Sequence, residues 1–233
     1  MAKELCFCHQ EFERTVREAL SIYDRPLTDA DVAAITELDC SNFSFSSEDL
    51  DVLSCFQALR DLTINTNADD LSFLQKMSEL EHLDMECWSQ KNAFDLRALS
   101  HLHKLKYLFI SGGDISDMDL LHSEALVGLR ELEDLCFHEF GTVDLQPLRH
   151  MPWIRTFFCG WANSVKHVEA IGTLQKLKEL TLISFAMKDL DFLDALPSDL
   201  ELELCSLGVE KGIPYEKLKR FYKGNFDEID KYP

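Results

Sequence analysis

Two groups of residues in this sequence have types and spacings that could do chemistry. Cys6, Cys8 and His9 stand close together and carry soft donors suited to zinc. A structural zinc site takes four ligands, with Cys-x₂₋₄-Cys pairs as the usual pattern, and no second pair accompanies these three. A loosely ordered terminus is the competing reading and the preferred one. Asp114, Asp117 and Asp119, with Glu124 beyond them, offer the oxygen donors of a calcium loop. Their spacing does not fit an EF-hand and the central glycine is missing, so they read as the solvated part of a long loop. Catalytic signatures are absent: there is no Gly-x-Ser-x-Gly elbow, no Gly-x-x-x-x-Gly-Lys and no His-Glu-x-x-His. Paired carboxylates are expected on any acidic surface without an acid–base role. No enzyme, no metal and no cofactor is therefore expected. An enzyme site in the Asp114–Glu124 stretch remains a distant alternative that would need a deep polar pocket.

Composition narrows the classes further. The chain has 233 residues, 46% hydrophobic and 10% aromatic, enough for a packed core. Its apolar runs are far shorter than the roughly 20 residues that cross a bilayer. The segment Met1 to Cys6 lacks a basic stretch followed by an apolar one, so no signal peptide is expected. With 23 basic and 42 acidic residues the formal charge is −19. Such a surface repels phosphate backbones and anionic lipid, which argues against nucleic-acid and membrane roles and favours a basic protein partner. Solubility alone would explain the same acidity. The eight cysteines are scattered rather than closely paired. Buried free cysteine acts as a small hydrophobe, which points to a reducing compartment and the cytoplasm, with a secreted fragment as the alternative.

The elements that position these residues repeat. An apolar anchor is followed by apolar residues three and five positions later, as in Leu59-Leu62-Ile64, Leu80-Leu83-Met85 and Leu105-Leu108-Ile110. The pattern begins at Ile35-Leu38-Cys40 and continues through Leu132-Leu135-Phe137, Ile154-Phe157-Cys159 and Leu177-Leu180-Leu182. It ends at Leu202-Leu204, with Asp199 at the anchor position. Successive anchors are 24, 21, 25, 27, 22, 23 and 22 residues apart, within or near the spacing of leucine-rich repeats. A second motif, an acid before Leu-x-x-Leu, recurs downstream: Asp49-Leu50 with Leu53, Asp70-Leu71 with Leu74, Asp95-Leu96 with Leu99. It returns at Asp144-Leu145 with Leu148 and Asp189-Leu190 with Leu193.

Each motif has its own physics. Residues at +3 and +5 share one side of a strand and point into the core, while +2, +4 and +6 point out onto a concave sheet. Leu-x-x-Leu matches one turn of α- or 3₁₀-helix on the convex side, and the preceding Asp is placed to cap it. No unit can bury its apolar face alone, so stability comes from stacking. The fold class predicted is α/β: a curved right-handed solenoid with about eight parallel concave strands, short helices or 3₁₀ turns on the convex side, and helical caps at both ends.

These repeats resemble bacterial leucine-rich repeats of the internalin-like kind, in which Asp-Leu-x-Pro-Leu recurs. Asp144-Leu145-Gln146-Pro147-Leu148 matches that form fully, and the segment from Arg25 to Asp39 resembles the lead-in common in such proteins. The resemblance covers roughly residues 12–205. It implies Asn near +8, whose side chain bonds along a backbone ladder, but only Asn67 occupies that position. The other units carry Phe43, Trp88, Gly113, Phe140, Ala162 and Phe185, so an aromatic stack is expected in place of the ladder.

Residues 1–34 are expected to form an N-terminal helical cap, 35–207 the repeats and 208–233 a C-terminal cap helix, within a single domain. Phe12, Val16, Ala19, Leu20 and Tyr23 show helical spacing, and Thr28 with Asp31 can cap a short helix toward Ile35. Pro214 precedes an amphipathic stretch from Tyr215 to Tyr222.

Function is carried by the outward strand positions. The early units present His82, Asp84 and Glu86 among other acids. The middle units present Tyr107, Phe109, Cys136, His138 and Phe158, with Trp161 just past its strand, and the last units return to acid. Aromatic residues dominate binding hot spots, and contiguous exposed apolar surface is uncommon without a use. The expectation is a non-catalytic protein-recognition module that binds through this face a partner with a basic, apolar segment. Rings packed on one another are the bland reading. A self-associating scaffold or regulatory solenoid, in the form of a homodimer, is the functional alternative.

Overall fold

The computed structural model describes residues 2–88, 93–113 and 117–221. Eight parallel strands form one sheet in sequence order: β1 (Glu37–Phe45), β2 (Asp61–Thr66), β3 (His82–Cys87), β4 (Tyr107–Ser111), β5 (Asp134–His138), β6 (Thr156–Gly160), β7 (Glu179–Ile183) and β8 (Glu201–Cys205). Cross-strand register follows the repeat position for position. The +3 residues align as Leu38, Leu62, Leu83 and Leu108, then Leu135, Phe157, Leu180 and Leu202, and all are buried. The +5 row behind them is buried except for Leu204, which lies on the last strand and lacks a following unit to cover it. Cys40 and Cys159 fill two places in that row.

The first unit is wider for a local reason. Cys40 pairs with Ile64, but Phe45 pairs with Thr66, so the strand holds three extra residues between those levels. Asp39 Oδ1 accepts the Ser41 N–H at 2.9 Å, which bends the chain out. The displacement carries Phe43 off the +8 row to the cap, where it stacks on His9 at 4.6 Å. The expected aromatic stack does not run through the other units either. Phe140 and Phe185 are buried core rings separated by Ala162, and Trp88 lies over Gly113, where a Cβ would meet its ring at 3.0 Å. Asn67 is exposed. The polar turn bond comes from buried Thr66, which donates to Phe45 O at 2.9 Å and accepts from Ala68 N at 3.0 Å.

On the convex side the first unit closes with an α-helix, Ser47–Leu53, and the others with 3₁₀ turns such as Ser72–Lys76, Leu96–Leu99 and Gln146–His150. The motif aspartates bond two residues ahead: Asp70 accepts from Ser72 N at 2.8 Å and Asp144 from Gln146 N at 2.9 Å. Each thus closes an Asx turn over the first leucine. Short parallel pairs precede these turns, as where Thr142–Asp144 runs beside Ser164–Lys166.

The N-terminal α-helix, Gln10–Leu20, buries Phe12 and Val16 and ends at Ser21 in the left-handed region. Tyr23 lies beyond the helix and is exposed. His9 Nδ1 accepts the Phe12 N–H at 3.3 Å. A lone pair used as a helix cap is not available to a metal, which weighs against a zinc role for the Cys6, Cys8 and His9 cluster. Thr28 and Asp31 form the capping box of a short helix, Asp29–Val32, and Arg25 grips Asp31 at 2.6 and 2.7 Å. After the last repeat, a helical turn at Tyr215–Leu218 buries Leu218, and Lys217 reaches Asp191 and Asp194 at 2.7 Å each. Residues 222–233 of the expected C-terminal cap, and Asp114 of the acidic loop, lie outside the described residues.

Candidate protein-binding face

The outward side chains stand in three registered rows at +2, +4 and +6. Row +2 reads Glu37, Asp61, His82, Tyr107, Asp134, Thr156, Glu179 and Glu201. Row +4 reads Asp39, Thr63, Asp84, Phe109, Cys136, Phe158, Thr181 and Glu203. Row +6 begins at Asn65 and continues through Glu86, Ser111, His138, Gly160, Ile183 and Cys205. Carboxylates recur in rows +2 and +4 and stand once in row +6, at Glu86, and none of these positions carries Lys or Arg.

The basic residues stand one step outside the rows, at +1. There Arg60 faces Glu81 at 3.8 Å, Lys106 meets Glu81 at 2.5 Å and Arg155 meets Glu133 at 3.2 Å. Lys178 closes the ladder on Asp199 at 2.6 Å. Exposed pairs of this kind add little stability. Their consequence is electrostatic: the rim cations are engaged with rim carboxylates, and no Lys or Arg stands at the outward row positions beside the acids there.

Asp84 shows that acidity under strain. It is half-buried between β2 and β4, and burial raises its carboxyl above the usual carboxylate range. Asp39 and Asp61 push it up further, while His82 opposes the rise. A carboxylate whose folded value is raised destabilises the fold once ionised, and that penalty is absent below the unfolded value. Asp84→Asn is therefore expected to raise the melting temperature at pH 7. The gain should vanish as pH falls below about 4, where both side chains are neutral. Paired thermal melts at the two pH values check this; a gain that persists in acid would mean that packing, not charge, is responsible.

Two groups of rings lie inward of the acids. At the strand starts, Tyr107 stacks on His82 with ring centroids 4.0 Å apart and planes within 6°. His82 Nδ1 is 3.4 Å from Asp61 Oδ1 but is not aligned to bond it. The Tyr107 hydroxyl is pushed up to about 12, by burial first and then by Asp84. At the strand ends, His138 is the hub: Phe109 lies 5.9 Å from it, Phe158 6.0 Å and Trp161 4.7 Å. His138 Nδ1 sits 3.2 Å from Ser111 Oγ and 3.4 Å from Glu139 Oε2, which orients the ring. Gly160 gives Phe158 room to lean, since a Cβ there would meet the ring at 2.9 Å. Trp161 is 43% exposed and adopts a left-handed backbone, φ 52°. Its amide donates to Ile183 O at 2.9 Å, which holds the turn that lifts the indole onto the rim.

The structure thus brings Phe109, His138, Phe158 and Trp161 together. Tyr107 and His82 form a separate pair, while Asp84 and Glu86 stand on the acidic flank. Cys136 lies between Phe109 and Phe158 with its thiol pushed up to about 12 by burial, so it contributes apolar surface and not a nucleophile. The outward register does not bring full exposure: Asp61 and Asp84 are half-buried, whereas Glu179 is exposed. Asp134 and Ile183 also belong to the face. The signal for Asp134 was its +2 place after Leu132, the same as that of Asp61.

No protein-family model and no curated protein matches this sequence. Solved structures do. An internalin C2 from Listeria monocytogenes superposes with a TM-score of 0.72 at 17% identity, covering 93% of this chain and 91% of that one. The plant peptide hormone receptor RGFR1, in complex with RGF2, gives 0.54 at 14% identity over 78% of this chain and 33% of the receptor. PEPR1 with AtPEP1 gives 0.50 at 17% identity over 77% and 26%. At these identities the likeness is one of fold: the chain is a leucine-rich-repeat solenoid that folds like internalin C2.

Proposed function

We propose that this chain is a non-catalytic recognition module that takes a protein partner on its concave sheet. The observation that carries the reading is the ring cluster of Phe109, His138, Phe158 and Trp161 on outward positions of adjacent strands and their rim. Side chains there could have been polar at no cost to the core, yet they supply amphipathic rings of the kind that anchor interfaces. Two solenoids of like fold were solved with RGF2 and with AtPEP1, which supports a protein or peptide partner. Self-association through this face would set carboxylate against carboxylate across a dimer axis, which disfavours it.

The test is selection of binders from a displayed peptide library, followed by titration against wild-type and Trp161→Ala protein. Selected peptides should lose most of their affinity for the variant. Equal binding to both proteins would move the site elsewhere. A concentration-dependent dimer disrupted by Trp161→Ala would reassign the face to self-association.

A reducing setting, the cytoplasm, is part of the proposal. Cys40 and Cys159 are free thiols that serve as core filler. Burial raises both of their thiols, that of Cys40 to about 12, which keeps them unreactive while folded. Thiol titration of freshly purified, denatured protein without reductant should find all eight. A lower count would argue for an oxidising compartment.

A further inference from the structure

The order of chemistry across the sheet specifies the partner further, on the premise that the concave face is the binding face. The main change in chemistry runs across the strands, with Asp134 and Ile183 as local departures along two of them. β1–β3 present acid, with Asp39 on β1 and Asp61 on β2 close enough to Asp84 on β3 to raise its carboxyl beyond the effect of burial. β4–β6 present rings, and β7–β8 return to acid with Glu179, Glu201 and Glu203, all exposed. We propose that the occupant is an extended segment crossing the strands, with an apolar anchor on the Phe109–Phe158 rings and a basic residue about four positions away on each side.

The spacing follows from geometry. Adjacent strands lie about 4.8 Å apart, so the acidic centre at β2–β3 stands roughly 12 Å from the ring centre at β5. The acidic centre at β7–β8 is about as far on the other side. An extended chain advances about 3.3 Å per residue, so roughly four residues bridge each gap. A segment laid along β4 or β6 would meet rings but no acid, since their outward positions are Tyr107, Phe109 and Ser111 and Thr156, Phe158 and Gly160. Nucleic acid lacks the cations that the flanks require, and its phosphates would be repelled. The +1 ladder limits competition from the protein's own cations, since Arg60, Lys106, Arg155 and Lys178 each have a carboxylate partner.

The probe is a fluorescein-labelled synthetic peptide in which one Phe is flanked, about four residues away on either side, by Lys-Arg pairs joined through Ser and Ala. Anisotropy titration against the full chain should show binding that weakens severalfold as salt rises from about 50 to about 300 mM. Moving both Lys-Arg pairs to one end, with composition kept, should weaken binding about tenfold. So should Glu201→Lys with Glu203→Lys in the protein, since both carboxylates are exposed and their loss leaves the core untouched. That double variant should not affect a peptide lacking the second basic pair. Equal affinity for the one-ended peptide would overturn the spacing. Library binders that depend on Trp161 but carry no flanking basic residues would overturn this inference and leave the concave-face reading standing. If peptide binding were also indifferent to Phe109→Ser with Phe158→Ser, both would fall.

Discussion

Replacing Leu108 with alanine is expected to lower the unfolding free energy by about 2–5 kcal/mol, the range for a leucine truncated in a rigid core. Leu108 is fully buried at the middle of the +3 row, between Leu83 and Leu135, which are also buried. The cavity would open on both sides at once. In a solenoid each unit touches only its neighbours, so the damage falls on two interfaces of the stack. Its parallel strands hold the backbone in register and limit collapse into the void. The same change at Leu204, half-buried on the last strand, should cost less because part of that side chain already meets water. Urea unfolding of the two variants beside the parent measures both losses. A smaller loss at Leu108 than at Leu204 would contradict the assigned centre of the core.

The inward rows were legible because burial at +3 and +5 constrains residue type at each repeat, and apolar residues at fixed offsets survive local variation. Even the extra width of the first unit was present in the anchor spacings, 24 residues against 21. What could not be read was the compensating bulge at Ser41–Ser44, since nothing in those residues names the site of an insertion. The left-handed turns were equally hidden. Glu139, Trp161, Ser184 and Ser206 take positive φ at +7 in four successive units. None is the Gly or Asn that such a backbone usually advertises. The conformation is imposed from outside the turn: the amides of Glu139, Trp161 and Ser184 each donate to a carbonyl of the next unit.

The site divides the same way. Strand alternation placed Phe109, Phe158 and Asp84 on the outer face, but not how deeply each would sit. With neighbours about 4.8 Å away on both sides, a short side chain such as Asp84 is shaded by the longer Phe109 beside it. The role of His138 as hub depends on Ser111, on Glu139 and on Gly160, whose missing Cβ leaves room for the Phe158 ring. These come from three different units, and no single repeat encodes their meeting.

Phe109→Ser combined with Phe158→Ser is expected to abolish peptide binding while the chain stays folded. Both rings are half-buried, and both lean on His138 from opposite sides. Each points away from the +3 and +5 rows, so its loss opens no void in the core. Partial ring burial is worth about 1 kcal/mol at each site by the area removed from water. That loss is spread over a stack whose core is intact. Binding should respond far more, since truncating a central aromatic anchor typically removes about 2 kcal/mol or more, and two such losses exceed about a hundredfold in affinity. Serine is tolerated in a strand whose backbone bonds run to both neighbours, so β4 and β6 should keep their pairing. Circular dichroism and urea unfolding establish the fold, and anisotropy with the basic–Phe–basic peptide reads the binding. A variant that fails to fold would show that these rings are core. A folded variant that still binds the peptide with parental affinity would show that the anchor sits on other residues.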